Sequence, residues 1–217
     1  MSGRRKVAVL ISGRGSNMQA LVRASAAVDH PAEIVLVLSN RADAGGLDFA
    51  RDAGLATSVV PHGDFPDRAS FDAAMDEEIR GHGAELICLA GFMRLLDPKF
   101  VGAWRDRMLN VHPALLPAFK GLDTHARALE AGVKIAGCTV HFVRSDMDTG
   151  PIIAQAAVPV LPHDTAESLA ARILEQEHII YPMALRLVAE GRVTVEGDRA
   201  IVAAGGGAAA LRNPDPG

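Results

Sequence analysis

Val7-Ala8-Val9-Leu10-Ile11-Ser12-Gly13-Arg14-Gly15-Ser16-Asn17 is the stretch on which the reading of the fold turns. Its first five residues form a continuous apolar run with a β-branched bias, closed by a glycine-rich turn. A strand with one wet face would alternate apolar and polar residues. An unbroken run bounded by a turn reads instead as a strand buried on both sides, as at the centre of a parallel sheet. Beyond the turn, Met18, Leu21, Val22 and Ser25 fall at helical spacing. Strand, glycine loop and helix in succession make the opening βα unit of an α/β fold.

The same alternation continues outward from this unit. Ile34–Leu38 is a second apolar run. Leu47–Ala53 reads as a short helix ending at Gly54, and Thr57–Val60 as a short strand closed by Pro61. Phe71, Met75 and Ile79 mark a helical face that stops near Gly81 and Gly83. Leu86–Ala90 is a further buried run. The implied architecture is an open, mostly parallel twisted sheet with helices on both faces, Rossmann-like. In the second half, Met108–Val111 reads as a strand, followed by the proline-rich loop Pro113–Gly121. Asp123 is placed to cap a helix running through Ala131, stopped by Gly132. Cys138–Val143 and Ile152–Val160 read as strands around the polar loop Arg144–Pro151. Asp164 or Thr165 can cap a long helix reaching Ala189, with Leu169, Ile173, Ile180, Met183 and Leu187 as its apolar stripe. Pro182 lies inside that helix, where a kink is expected. Arg192–Val202 reads as a small hairpin. Residues 1–202 are expected to form a single domain, with 203–217 a disordered tail.

Composition narrows the function classes. A net charge of −4 over 217 residues argues against a dedicated nucleic-acid binder. No apolar run approaches the roughly 20 residues needed to cross a bilayer. The basic start before Val7 is followed by too short an apolar stretch for a signal peptide, so a cytoplasmic enzyme without membrane attachment is expected. Cys88 and Cys138 sit in apolar runs and read as buried reduced thiols.

Three constellations carry chemistry. Gly13, Arg14, Gly15, Ser16 and Asn17, between a strand and a helix, can offer backbone N–H groups and a helix N-terminus to an anion. A dinucleotide fingerprint would need a third glycine where Met18 stands and an acid near Ser39-Asn40-Arg41, so a phosphate monoester fits better. Taken alone the loop equally reads as a tight βα turn. Asn110 and His112 share one face of their strand at its carboxyl end, where open α/β sheets place ligands. Side by side, an amide and an imidazole can stabilise an oxyanion and move a proton. Asp148, in Asp146-Met147-Asp148-Thr149-Gly150-Pro151, either closes a turn or meets His112, where it would favour imidazolium. No ligand spacing supports a metal.

Taken in order, the Ser12–Asn17 loop, Ala90-Gly91-Phe92-Met93-Arg94, Asn110-Val111-His112-Pro113-x-Leu115-Leu116-Pro117 and Asp148-x-Gly150-Pro151-Ile152-Ile153 resemble the formyltetrahydrofolate-dependent formyltransferase superfamily, from about Lys6 to Val195. The resemblance implies transfer of the formyl group of 10-formyltetrahydrofolate to the amine of a phosphorylated substrate, glycinamide ribonucleotide, in purine biosynthesis. It implies Asn110, His112 and Asp148 as the catalytic trio and Gly13–Asn17 as the phosphate loop. It also implies Glu177, in Gln176-Glu177-His178-x-x-Tyr181-Pro182, as a carboxylate near the substrate amine. Met93, Arg94, Leu95 and Leu96, with Arg144, Ser145, Asp146 and Met147, correspond to segments around the pterin, and Arg68 to a cation near the glutamate tail. Asp123 stands where relatives often carry a polar residue or histidine, which leaves His125 without an assigned role. His141 and His178 read as structural. The folate is expected as co-substrate, with no metal, no nucleic-acid partner, and a homodimer allowed. A deformylase usually carries an extra N-terminal domain and a methionyl-tRNA formyltransferase an extra C-terminal one; this sequence is expected to have neither.

Overall fold

The computed structural model describes residues 3–203. The strands are β1 (Arg5–Ile11), β2 (Ala32–Ser39), β3 (Thr57–Val59), β4 (Leu86–Leu89), β5 (Met108–His112), β6 (Ile135–Phe142), β7 (Ile152–Pro159), β8 (Val193–Glu196) and β9 (Arg199–Val202). The helices are α1 (Ser16–Ser25), α2 (Gly46–Asp52), α3 (Arg68–Gly81), α4 (Pro98–Ala103), α5 (Thr124–Glu130) and α6 (Ala166–Ala189). Seven strands form one sheet in the order β3-β2-β1-β4-β5-β6-β7. The pairs from β3 to β5 are parallel, whereas β5–β6 and β6–β7 are antiparallel. β8 and β9 make the separate hairpin. The expected architecture is therefore present, and the polar loop between β6 and β7 is a hairpin connection. The expected tail falls outside the described residues beyond Ala203.

Val7 to Ile11 are all buried, which is what a continuous apolar run at the sheet centre requires. Their alternation divides the core. Val7, Val9 and Ile11 join Met18 and Leu21 of α1, Leu47 and Ala50 of α2, Ala128 of α5, and Leu169 and Ile173 of α6. Ala8 and Leu10 face Phe71, Met75 and Ile79 of α3 and Phe100 and Val101 of α4. Each face of the sheet thus carries its own helical layer. Cys88 and Cys138 are free and buried, and burial pushes both thiols up to about 12.

Three features differ from the sequence expectation. α4 is an additional short helix, capped by the Asp97 side chain accepting from the Lys99 amide and started by Pro98. Six residues are too few for periodicity to declare a helix. Asp123 occupies the position before α5, but its backbone is left-handed at φ 56° and its side chain makes no cap bond. The stripe of α6 is also rotated: Leu169, Ile173, Glu177, Ile180, Tyr181, Ala184 and Leu185 are buried, while Met183 is 45% exposed. The stripe passes through a carboxylate, Glu177, which a search for apolar residues steps over. The helix start is as expected, with Thr165 and Ser168 forming a reciprocal capping box. α6 continues through Pro182 as one element.

Tyr181 pins α6 to the sheet. Its hydroxyl reaches the carbonyl oxygens of Leu89 and Leu109 at 3.0 and 3.1 Å, on the adjacent strands β4 and β5. Tyr181→Phe removes the shared donor from a fully buried site, a loss of about 1–2 kcal/mol. The expected outcome is a melting temperature lower by roughly 2–8 °C for a chain of this size, measured by calorimetry. An unchanged melting temperature would show that α6 is held by its apolar face alone.

Candidate active site

The site is built where β1, β4 and β5 end. Gly15 occupies the position before α1 with φ 69°, a left-handed backbone that side chains disfavour. A Cβ on Gly15 would meet Met18 Cε at 3.0 Å and Gly46 Cα at 3.4 Å. The Gly46 amide donates to the Gly13 carbonyl at 3.0 Å, so α2 backs the loop. No side chain caps α1, which leaves the amides of its first turn free to face an anion. Gly13 and Arg14 are exposed and Ser16 half-buried.

Behind this loop Asn17 is buried and donates through Nδ2 to Glu177 Oε2 at 2.6 Å. This contact joins α1 to α6 across 160 residues of chain. Among the described residues, Asn17 Oδ1 is buried without a hydrogen-bond partner. Burial raises the Glu177 carboxyl above the usual carboxylate range, opposed by the Asn17 bond. The unspent Asn17 oxygen, beside the Glu177 carboxylate, suits a substrate rich in N–H or O–H donors.

β5 delivers the second half. His112 is buried, with Nε2 donating to the Phe119 carbonyl at 3.0 Å and Nδ1 lying 3.4 Å from Asp148 Oδ2. A carbonyl and a carboxylate both accept, so the ring satisfies both when each nitrogen carries a proton. Asp148 Oδ2 also accepts from the Gly121 amide at 2.9 Å. Phe119 and Asp148 both have left-handed backbones, at φ 51° and 54°. The loop of Phe119 is held down by Thr139 and Gln155. Thr139 Oγ1 donates to the Ala114 carbonyl and accepts from the Leu116 amide, while Gln155 Nε2 donates to the Leu116 carbonyl. His112 faces Thr139, and Thr139 faces Gln155, across the two antiparallel pairings. Gly150 has to be glycine: a Cβ there would lie 1.6 Å from the Phe142 carbonyl oxygen.

The second and third constellations read from sequence therefore meet at His112 and Asp148, and a further residue joins them. His141 stands directly opposite Asn110 in the β5–β6 register, and its Nε2 lies 3.3 Å from Asn110 Nδ2 and 3.8 Å from Asp148 Oδ1. The sequence signal for it is the run Gly137, Thr139, His141, small or polar at every second position, which marks one face of β6 as a site wall. Ser12 adds a further link, which its place in the glycine turn does not announce. Its hydroxyl donates to Asn40 Oδ1 at 2.6 Å and accepts from the Met93 amide at 2.9 Å. Through it the glycine loop touches the segment that follows β4.

In that segment Met93, Arg94 and Leu95 are exposed, while Leu96 packs with Phe92 and Val143 against the α3–α4 core. Arg144 is half-buried and bonded to Asp106, whereas Ser145, Asp146 and Met147 are exposed. Met147 Sδ lies 4.0 Å from where a Gly121 Cβ would stand. Arg68, exposed at the start of α3, and Arg94 both act on the buried Asp72, so these two cations lie on one side of the molecule. Burial raises the Asp72 carboxyl. His125 lines a mainly apolar cavity of about 170 Å3 beneath the loop that follows β5, with Pro113, Phe119, Ala128 and Ile173. It contributes to that cavity rather than to the trio, and burial lowers its pKa. Among the described residues, no group of three or more metal-ligating side chains is arranged to hold an ion. No helix among them is long and apolar enough to cross a membrane.

The open sheet thus carries a glycine loop after β1, an amide and an imidazole at the end of β5, and a carboxylate in the β6–β7 loop. The formyl transferase family model matches residues 5–185, and the chain belongs to that family. It is 51% identical over 188 residues to the trifunctional purine biosynthetic protein adenosine-3 of Bos taurus, covering 87% of this chain and 19% of that protein. The chain thus spans about one fifth of that relative's length. The phosphoribosylglycinamide formyltransferase of Escherichia coli is 44% identical over 187 residues, with 86% of this chain and 88% of that one covered. Glycinamide ribonucleotide transformylase 1 from Symbiobacterium toebii superposes with a TM-score of 0.91 at 49% identity, covering 93% and 95% of the two chains.

The buried carboxyl of Glu177 has a measurable signature. Its folded pKa is raised, so its contribution to stability is full at low pH and is lost as pH rises through the folded value. Glu177→Gln removes the charge, and its amide can also donate to the orphaned Asn17 oxygen. At pH 8 this variant should melt higher than the parent by roughly 2–4 °C, the effect of about 1 kcal/mol in a chain of this size. The gap should close as pH falls through the carboxylate range. A variant that melts lower at both ends would mean that Glu177 is a structural ion.

Proposed function

We propose that the protein transfers the formyl group of 10-formyltetrahydrofolate to the amine of glycinamide ribonucleotide, a step of de novo purine biosynthesis. The observation that carries this reading is the placement of His112 between the Phe119 carbonyl and Asp148, beside Asn110 at the carboxyl end of β5. The relatives named for this activity support the choice of substrates. The neutral amine attacks the formyl carbon and a tetrahedral oxyanion forms. Asn110 donates to that oxygen, and the His112 imidazolium stabilises it and moves the attacking amine's proton to N10 of the folate; the carbon–N10 bond then breaks, releasing tetrahydrofolate and the formylated amine. Asp148 holds the imidazolium in place. No covalent formyl-enzyme is needed: both cysteine thiols are buried and held protonated. Catalysis then rests on proximity and electrostatics.

In this reading the substrate's phosphate sits on Gly13–Asn17 and its amine side lies toward Glu177. The folate's pterin lies between Met93–Leu96 and Arg144–Met147, with Arg68 near its glutamate tail. The enzyme works in the cytoplasm through a single formyltransferase domain over residues 1–202, and a homodimer is compatible with this arrangement.

The direct test is an assay with 10-formyltetrahydrofolate, with and without glycinamide ribonucleotide. Folate turnover should require the amine, and formate released at full rate without it would identify a deformylase. Replacing Asp148 with Asn should leave both KM values near the parent and lower kcat by about 10²–10⁴, the scale of lost acid–base assistance. Replacing His112 should cost a similar factor, and the double mutant little more, because the two act as a unit. Losses that multiply would mean that the two residues act independently.

A further inference from the structure

The trio leaves one question about its own geometry. An asparagine amide has a donating end and an accepting end, and only the donating end stabilises an oxyanion. Something must decide which end of Asn110 faces the reacting carbonyl. We propose that His141 is a positioning residue that fixes the Asn110 amide, acting as a neutral imidazole with its proton on Nδ1. This rests on the formyl-transfer reading and deepens it.

His141 Nδ1 lies 2.9 Å from the Phe142 carbonyl oxygen, which can only accept, so Nδ1 carries the proton. In a neutral ring Nε2 is then a bare acceptor. Its partner at 3.3 Å is Asn110 Nδ2, which can only donate. One N–H of the Asn110 amide is thereby committed to His141, and the second N–H of the same nitrogen is left for the substrate oxygen. A flipped amide would set oxygen against a lone pair and lose that bond.

The surroundings keep the ring neutral. His141 is 2% exposed. Burial lowers its pKa most, and the charges of His112 on β5 and Arg144 in the β6–β7 loop push the same way. The Phe142 carbonyl and Asp148 oppose them. If the ring were protonated, Nε2 would become a donor. It could no longer accept from Asn110 and would turn to Asp148 Oδ1, 3.8 Å away. That would free the amide to flip and divide Asp148 between two imidazoliums. Acid would then act on the trio through His141 as well as through the substrate amine.

Three variants separate positioning from packing. Glutamine at 141 places an amide oxygen near the Nε2 position and keeps the acceptor. Asparagine reaches only as far as Nδ1, and leucine offers neither group. His141→Gln should retain kcat within about threefold, while His141→Asn and His141→Leu should lose about 10–100-fold, below the cost of removing an oxyanion donor outright. KM for both substrates should stay within about threefold in all three, with folding checked by thermal melting. Equal kcat in the glutamine and asparagine variants, whether high or low, would overturn the proposal.

A second measurement needs no variant and no turnover. Long-range proton–nitrogen spectra of the enzyme labelled at histidine nitrogens should show His141 with protonated Nδ1 and bare Nε2 at neutral pH. A proton on Nε2 at neutral pH would overturn the proposal even in a fully active enzyme. The two readings fail differently: absence of amine formylation by the parent enzyme sinks the formyl-transfer reading, and the wrong tautomer sinks the role of His141.

Discussion

An imidazole has two nitrogens, and at His112 both face oxygen: a backbone carbonyl on one side and a carboxylate on the other. Much of the second half of the chain is arranged around that fact. The carbonyl belongs to Phe119 and the carboxylate to Asp148, and each of these residues is held in a left-handed backbone conformation. Such conformations cost on the order of 1–2 kcal/mol per non-glycine residue. They persist because the surrounding structure over-determines them. Thr139 and Gln155 clamp Ala114 and Leu116, and the Gly121 amide ties the first loop to the carboxylate of the second. The change from parallel to antiparallel pairing at β5–β6 makes this possible, since it sets Thr139 of β6 and Gln155 of β7 in line with His112.

The other anchor is α6. One face of this helix carries Glu177 to the glycine loop and Tyr181, one turn on, to β4 and β5. A buried carboxylate and a buried hydroxyl spaced by four residues lie one above the other on a helix. The tyrosine strengthens the attachment while the glutamate strains it, because a desolvated carboxylate opposes folding above its own pKa. A site that asks for an acceptor accepts that opposition, and the apolar contacts of Leu169, Ile173 and Ile180 offset it.

Much of this was legible in the chain before any coordinates. The run Val7–Ile11 is buried on both faces, as its lack of alternation required. Asn110 and His112 lie on one face because strand periodicity leaves no choice. Asp148 meets His112 across 36 residues, a contact that the family resemblance implied and that spacing alone left open. What was not legible has physical reasons. α4 is too short to show a period. The stripe of α6 was misplaced toward Met183 because its true line crosses Glu177. His141 read as structural because its neighbour Asn110 is set by register, a non-local property that a one-residue slip would erase. Asp123 held the expected boundary with an unexpected backbone, since a capping residue type does not dictate that its side chain caps.

Ser12 carries a consequence beyond its two hydrogen bonds. A single hydroxyl joins the end of β1, which opens into the glycine loop, to Asn40 and to the amide of Met93. Order imposed on one of these loops lowers the entropy that remains to be lost in the other, so occupation of either side biases the second. By thermodynamic linkage the bias must be equal in both directions. Two ligands seated on either side of this hydroxyl would therefore be felt by each other before they touch, and the preference for one order of arrival over another would be written into the strand end rather than into the reacting groups.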